Sequence, residues 1–257
     1  SLTSQLDAMI TDFLNRPLDK KYPFILSDVI YIKVRDKHRV VSKAFHVILG
    51  INEKGTRELL SFAIYESESY ESWKEMYENL LNRGLQSLKL VISDSHKGEV
   101  KAIRDAFTDV SWQRCQVHFM RNVFDKLPRK NTSEVRDELK MLFKTNNIEL
   151  ARKMKNGLID KYTEQYPRMT ECLDEGFEDG FQYCAIDETN YSRLKSTNML
   201  ERLNSEIRRR EKVVRIFPND ASAMRLIGSI LIDISEEWES SSRQYIKYTD
   251  KTKKWID

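Results

Sequence analysis

Between Pro23 and Arg114 the apolar positions follow two periods in alternation. FILSDVIYIKVR (24–35), VSKAFHVILGI (41–51) and ELLSFAIYES (58–67) are rich in β-branched and aromatic residues and predict three strands, with INEKGT supplying a hairpin turn at Gly55. YESWKEMYENLLNRG then switches to helical spacing, with Trp73, Met76, Tyr77, Leu80 and Leu81 on one face and Gly84 as the stop. LKLVIS is a nearly continuous apolar run, as in a strand covered on both faces. KGEVKAIRDAF predicts a short helix, and SWQRCQVHF a further strand or a strand-to-helix junction. The expected order is β-β-β-α-β-α-β. Ahead of it, residues 1–20 predict a helix with Leu6, Met9, Ile10, Phe13 and Leu14 on one face, running into a turn at Pro17.

From about Asn122 to Tyr191 the strand pattern disappears. VRDELKMLFKT, IELARKMKNGLIDKYTEQYP and RMTECLDEGFEDGFQYC predict helices separated by Asn, Pro and Gly. TNMLERLNSEIRRREKVVRI predicts a long basic helix and SAMRLIGSILIDISEEWESS an amphipathic one.

Composition narrows the classes. With 8 Gly and 5 Pro in 257 residues, collagen and low-complexity disorder are excluded. No apolar stretch reaches the roughly 20 residues needed to cross a bilayer, and the first residues lack the plan of a secretion signal, so a soluble protein with no membrane partner is expected. Three cysteines are too few for a disulfide framework and point to a reducing compartment. The chain opens on a helix without an initiator Met, which suggests a piece of a longer protein. A net charge of +3 says little about partners until its distribution is considered. From Arg202 to Arg215, six basic side chains (Arg202, Arg208, Arg209, Arg210, Lys212, Arg215) face two acidic ones, so this segment alone carries an excess larger than that of the whole chain. Such a stripe suits a phosphodiester backbone, and nucleic acid is the expected substrate class.

Three acids stand where acids are uncommon. Asp28 interrupts an apolar strand, Asp94 follows LVIS at a strand's C-terminal end, and Glu201 lies near the start of the basic helix. Carboxylates brought together in a core repel one another unless a divalent cation intervenes, and a two-ion site suits in-line phosphoryl displacement. Glu201 also reads as a capping-box acid, because Asn198 stands three residues ahead. His96 and Lys97 lie just past Asp94, where a phosphate would be met; Lys33 and Arg35 share a strand face of opposite parity to Asp28. The basic residues of the helical stretch, such as Arg152 and Lys155, alternate with acids and read as a solvated face.

DVIYIKVR around Asp28, LVISDSHKG around Asp94, WQRCQVHFMRN from Trp112 and STNMLERLNSEIRRREKVVRIFPN around Glu201 occur in this order. On these segments the sequence resembles the bacterial Mutator family of insertion-sequence transposases, over most of the chain from about Tyr22 to Trp238. The resemblance implies an α/β, ribonuclease-H-like fold with a mixed sheet and an all-helical insertion. Its expected parts are a linker helix at 1–20, the first part of the core at 21–121, the insertion at 122–191 and the core's C-terminal helices at 192–257. It implies a DDE-type polynucleotidyl transferase in which Asp28, Asp94 and Glu201 bind two Mg²⁺ or Mn²⁺ ions, Asp28 bridging both. Those ions would activate water to nick the element's ends, then the freed 3′-hydroxyl for strand transfer. The partners implied are double-stranded DNA, at transposon ends and target, and a second copy of the protein on that DNA. The compartment implied is the bacterial cytoplasm, at the nucleoid. His96, Lys97, His118, Arg202, Arg208, Arg209 and Arg210 are the expected DNA contacts. Family members carry an end-recognising DNA-binding region ahead of the core, most of which this sequence lacks.

Cys115 and His118 match the family's Cys-x-x-His element. They supply half a zinc site, with Cys172 and Cys184 as a loosely spaced other half, or else pack beneath an active site; Trp112 either fills the core or stacks on a base. Two other functions fit the same residues: a host ribonuclease-H-like nuclease or resolvase, which hydrolyses without joining, and a non-catalytic DNA-binding protein derived from a transposon.

Overall fold

The computed structural model describes residues 2–185, 192–241, 244–250 and 253. The last residues of the expected helical stretch, 186–191, lie outside the described residues. The predicted β-β-β-α-β-α-β order is present: β1 (Phe24–Asp36), β2 (Arg39–Ile51), β3 (Arg57–Tyr65), α2 (Tyr70–Asn82), β4 (Leu90–Ser93), α3 (Lys97–Ala106) and β5 (Ser111–Arg114), preceded by α1 (Leu2–Asn15). Helices α4 (Gln116–Phe124), α5 (Ser133–Lys144), α6 (Ile148–Tyr162) and α7 (Pro167–Gly180) follow, then α8 (Asn198–Val214) and α9 (Asp220–Ser240). The sheet order is β3-β2-β1-β4-β5, the arrangement of a ribonuclease-H-like α/β fold.

Two compact units divide the chain. The first comprises Ser1–Val91, Ser95–Val110 and Asn198–Asp257. Its frame is the β1–β2 ladder, paired without interruption from Phe24↔Ile51 to Asp36↔Arg39. Lys37 and His38 close it with positive φ (44° and 66°), the paired left-handed geometry that matches strand twist in a two-residue hairpin. β2 pairs antiparallel with β3, with a register shift at Ile48/Leu49. Most apolar residues read from the sequence form the core: Phe24, Ile25, Leu26, Ile30, Ile32 and Val34 of β1 are buried, with Trp73, Tyr77 and Leu80 of α2, whereas Leu81 and Met9 are exposed. α9 packs on β3, and Gly228 makes that approach possible, since a Cβ there would lie 2.7 Å from the Phe62 ring. Phe217, just past α8, extends the sheet in a way that periodicity does not reveal. Its N–H donates to Lys33 O (2.9 Å), and its carbonyl accepts from Arg35 N (2.8 Å).

The second unit comprises Ile92–Asp94 and Ser111–Thr197. Phe119, Leu139, Leu142, Met169, Leu173 and Phe177 are fully buried in it. Gln113 and Gln116 both donate to Gly180 O, at 2.7 and 2.8 Å, fixing β5 and α4 to the end of α7. Arg152 pairs with Glu178 and Lys155 with Asp174, as a face of alternating sign predicts.

Candidate active site

In the first unit, Asp28 shares the strand parity of buried Ile30, Ile32 and Val34, while Tyr31, Lys33 and Arg35 point to solvent. It is half-buried, and its carboxylate accepts from Val29 N–H at Oδ1 (2.9 Å) and from Asn204 Nδ2 at Oδ2 (2.7 Å), both neutral donors. Asn204 is brought there by α8, whose Leu203 and Ile207 are buried and which packs against β1. The other amide atom, Asn204 Oδ1, is buried and receives no hydrogen bond. Glu201 lies on the same helix one turn earlier, exposed in the first turn, where an acid complements the helix dipole.

Beside Asp28, Ser27 is fully buried and donates to Glu99 Oε1 (2.5 Å), which also accepts from Tyr77 OH (3.0 Å). Burial drives the Glu99 carboxyl well above the ordinary carboxylate range. Glu68 and Asp28 add to that push, and the two hydrogen bonds oppose it. Glu99 is therefore an acid that resists ionisation beneath the strand that carries Asp28. His96 precedes α3 with its Nδ1 3.5 Å from Glu68 Oε1, and Lys97 opens that helix with its side chain exposed.

In the second unit, Asp94 lies directly after β4, and His118 Nδ1 stands 3.9 Å from its Oδ1. Trp112 is half-buried and donates its indole N–H to Ser93 Oγ (3.0 Å), which in turn donates to Asp94 O (2.9 Å). Cys115 is fully buried; its N–H donates to Ser93 O (2.7 Å), and its sulfur accepts from both the amide and the hydroxyl of Thr197, each at 3.4 Å. Burial alone would push this thiol up, but hydrogen bonds from His118 and Thr197 outweigh it and hold the thiol below its ordinary value. Cys115 thus fastens Thr197, the residue before α8. All three cysteines are free thiols.

Arg202, Arg208 and Arg209 are exposed along α8, Arg209 paired with Glu206 at 2.9 Å. Arg210 differs: it lies half-buried on the side of Leu203 and Ile207, and its Nε has no partner. Beyond it, Lys212 and Arg215 join Lys33 on an open cleft of about 840 Å³.

Among the described residues, no three His, Cys, Asp or Glu side chains form a ready-made metal site. That applies to the zinc alternative for Cys115 and His118 as much as to the three acids. The Asp28 carboxylate and the donor-free Asn204 Oδ1 are nevertheless oxygen groups of the kind a hard divalent cation takes, together with water. The sequence reading missed Asn204, Glu99 and Thr197. Asn204 was findable from its spacing of three from Glu201 on a helix, and Glu99 from sharing a helical face with Ala102 and Ile103.

The family model described as "Transposase, Mutator family" matches residues 1–241. The chain is 52% identical over 251 residues to the transposase for insertion sequence element IS256 in transposon Tn4001 of Staphylococcus aureus, covering 96% of this chain and 64% of that protein. It is 37% identical to the transposase for element ISRM5 of Rhizobium meliloti (97% and 63% covered) and 33% identical to that for IS1081 of Mycobacterium tuberculosis (94% and 59%). The chain therefore spans less than two thirds of the length of these curated relatives. A solved Drosophila P element transposase strand transfer complex is similar over 96% of this chain and 72% of its own, at 12% identity and a TM-score of 0.33, too slight a likeness to carry an argument.

Proposed function

This chain belongs to the Mutator family of transposases, and we propose that it is the catalytic core of a DNA transposase, a two-metal polynucleotidyl transferase that cleaves transposon ends and joins them to target DNA. Asp28, Asp94 and Glu201 are the acids that would hold two Mg²⁺ or Mn²⁺ ions. The chemistry supplied by such a pair is Lewis-acid activation of a water or 3′-hydroxyl oxygen and neutralisation of charge at the scissile phosphate. The chain's own residues set the geometry. Asp28 is aimed by the Val29 amide and the Asn204 carboxamide, Glu201 is carried one turn away on α8, and Trp112 with Ser93 and Cys115 with Thr197 stiffen the segments around Asp94 and ahead of α8. Exposed Arg202, Arg208 and Arg209, with Lys97, His96, His118 and Arg210, hold the DNA backbone. The division into a core (21–121 and 192–257) and a helical insertion (122–191) belongs to the same proposal, as does a homodimer on DNA at the bacterial nucleoid, since two ends must be joined.

One observation carries this reading: an acid inside an apolar strand is bonded to the same helix that bears Glu201. Asp28→Asn is expected to lower Mn²⁺-dependent nicking at least 10³-fold. The thermal midpoint should stay within a few degrees, because a bridging ligand is lost while carboxylate repulsion is eased. Nicking by the variant at the parental rate would remove the assignment. A pre-nicked end offered to the parent protein separates joining from hydrolysis, and hydrolysis alone would favour a nuclease.

A further inference from the structure

We propose that Asn204 is a positioning residue for Asp28, fixing the orientation of its carboxylate and the rotational setting of α8 in a single contact. This rests on the reading of Asp28 as a metal ligand given above. The Asn204 amide donates to Asp28 Oδ2 at 2.7 Å across 176 positions of sequence, while Asp28 Oδ1 accepts from the Val29 amide. A hydrogen bond to a carboxylate is shorter and about twice as strong as one between neutral groups, so the contact defines a direction as well as a distance.

The amide's other atom strengthens the assignment. Asn204 Oδ1 is buried without a donor, which is costly for a group with no further use. Placed beside the carboxylate, that oxygen is suited to accept from a metal-bound water, so one carboxamide would orient the ligand and hold part of the ion's hydration shell. Leu203 and Ile207, both buried, fix the helix face that presents Asn204 beside them, and Glu201 lies three residues earlier on the same helix. Turning α8 to release Asn204 would therefore also displace Glu201.

The contact can be tested without metal or DNA. In the parent protein, the side-chain amide NMR signals of Asn204 should shift on Asp28→Asn; unshifted signals would overturn the proposal. Asn204→Ala is expected to bind Mn²⁺ 10- to 100-fold more weakly by electron paramagnetic resonance titration, the range seen when a ligand's supporting hydrogen bond is removed. Nicking at saturating DNA should fall by a similar factor with the KM for DNA within about twofold, and Asn204→Gln, which keeps the amide, should recover most of the Mn²⁺ affinity. Parental Mn²⁺ binding by Asn204→Ala would overturn the proposal. Asp28→Asn separates the two levels: if it too binds Mn²⁺ normally, the ligand assignment fails, whereas if it loses Mn²⁺ and Asn204→Ala does not, only the role of Asn204 fails.

Discussion

Asp28 takes hydrogen bonds from a backbone amide and a carboxamide, neither of which titrates, whereas Asp94 has a histidine 3.9 Å away whose ring also bonds a buried thiol. The first acid owes its setting to a helix pressed on a strand. The second depends on a chain of small polar contacts through Ser93, Trp112, Cys115 and Thr197. A surface made by helix packing loses orientation only when the helix moves, but a chain of polar contacts can be broken at one atom. The second unit should accordingly be the more sensitive to a minimal side-chain change, and the first to changes that alter the charge of its buried groups.

Cys115→Ala probes the larger of these effects. Removing the sulfur leaves the Thr197 N–H and hydroxyl buried without an acceptor, and each such loss costs about 1–3 kcal/mol. A destabilisation of about 4 kcal/mol is expected in urea unfolding followed by circular dichroism. Cys115→Ser, which keeps an acceptor, should lose less than half as much. A change below about 1 kcal/mol in the alanine variant would mean that Thr197 is held by something other than the thiol, and the contrast between the two acids would weaken.

What could be read from the sequence divides along the same line. The strands of the first unit were legible because Ile30, Ile32 and Val34 alternate with Tyr31, Lys33 and Arg35, and α2 because its apolar residues recur at helical spacing. Asp28 stood out because an acid in an apolar run is costly wherever it occurs, whereas Asp94 followed such a run and Glu201 stood out only through its place at the start of the basic helix. The partners of these acids were not legible. Asn204 and Asp28, or Thr197 and Cys115, meet only after distant segments fold, and no local period records such a pairing. Phe217 at the edge of β1 escaped for the same reason. Arg210 illustrates a further limit: counted among the basic stripe, it lies toward the packed side of α8, because charge counting ignores which face a residue occupies.

An intermediate effect is expected from acid. His46 is fully buried, its Nε2 3.2 Å from Ser72 Oγ and its ring edge-on to Trp73 at 4.5 Å. Burial depresses its pKa to about 4, with nearby His96 adding to the push and the Ala44 carbonyl opposing it. A depressed histidine contributes stability that is present above its ordinary value near 6.5 and lost as pH falls toward 4, a decline of about 3 kcal/mol if the ring opposes protonation throughout. His46→Gln should be less stable at neutral pH yet show a flatter profile over this window in thermal unfolding. An unchanged profile would place the acid sensitivity elsewhere.

The smallest effect has the opposite sign and tests how the first unit protects Asp28. The Glu99 carboxyl is raised well above 4.5, chiefly by burial, so its contribution is complete below that pH and declines as pH rises toward its folded value. Above 4.5 the unfolded chain sheds the proton and gains free energy that the folded chain cannot match. Glu99→Gln cannot ionise in either state and should remove this loss, leaving stability near pH 4.5 almost unchanged and raising the thermal midpoint at pH 8 above that of the parent. Burial, with a smaller push from Asp28, raises this carboxyl, so ionising Glu99 would set a second negative charge under the strand and disturb the setting that the Asn204 amide provides. Glu99→Gln with the parental slope of stability against pH would show that Glu99 titrates alike in the folded and unfolded chain, and that burial under β1 does not hold its proton.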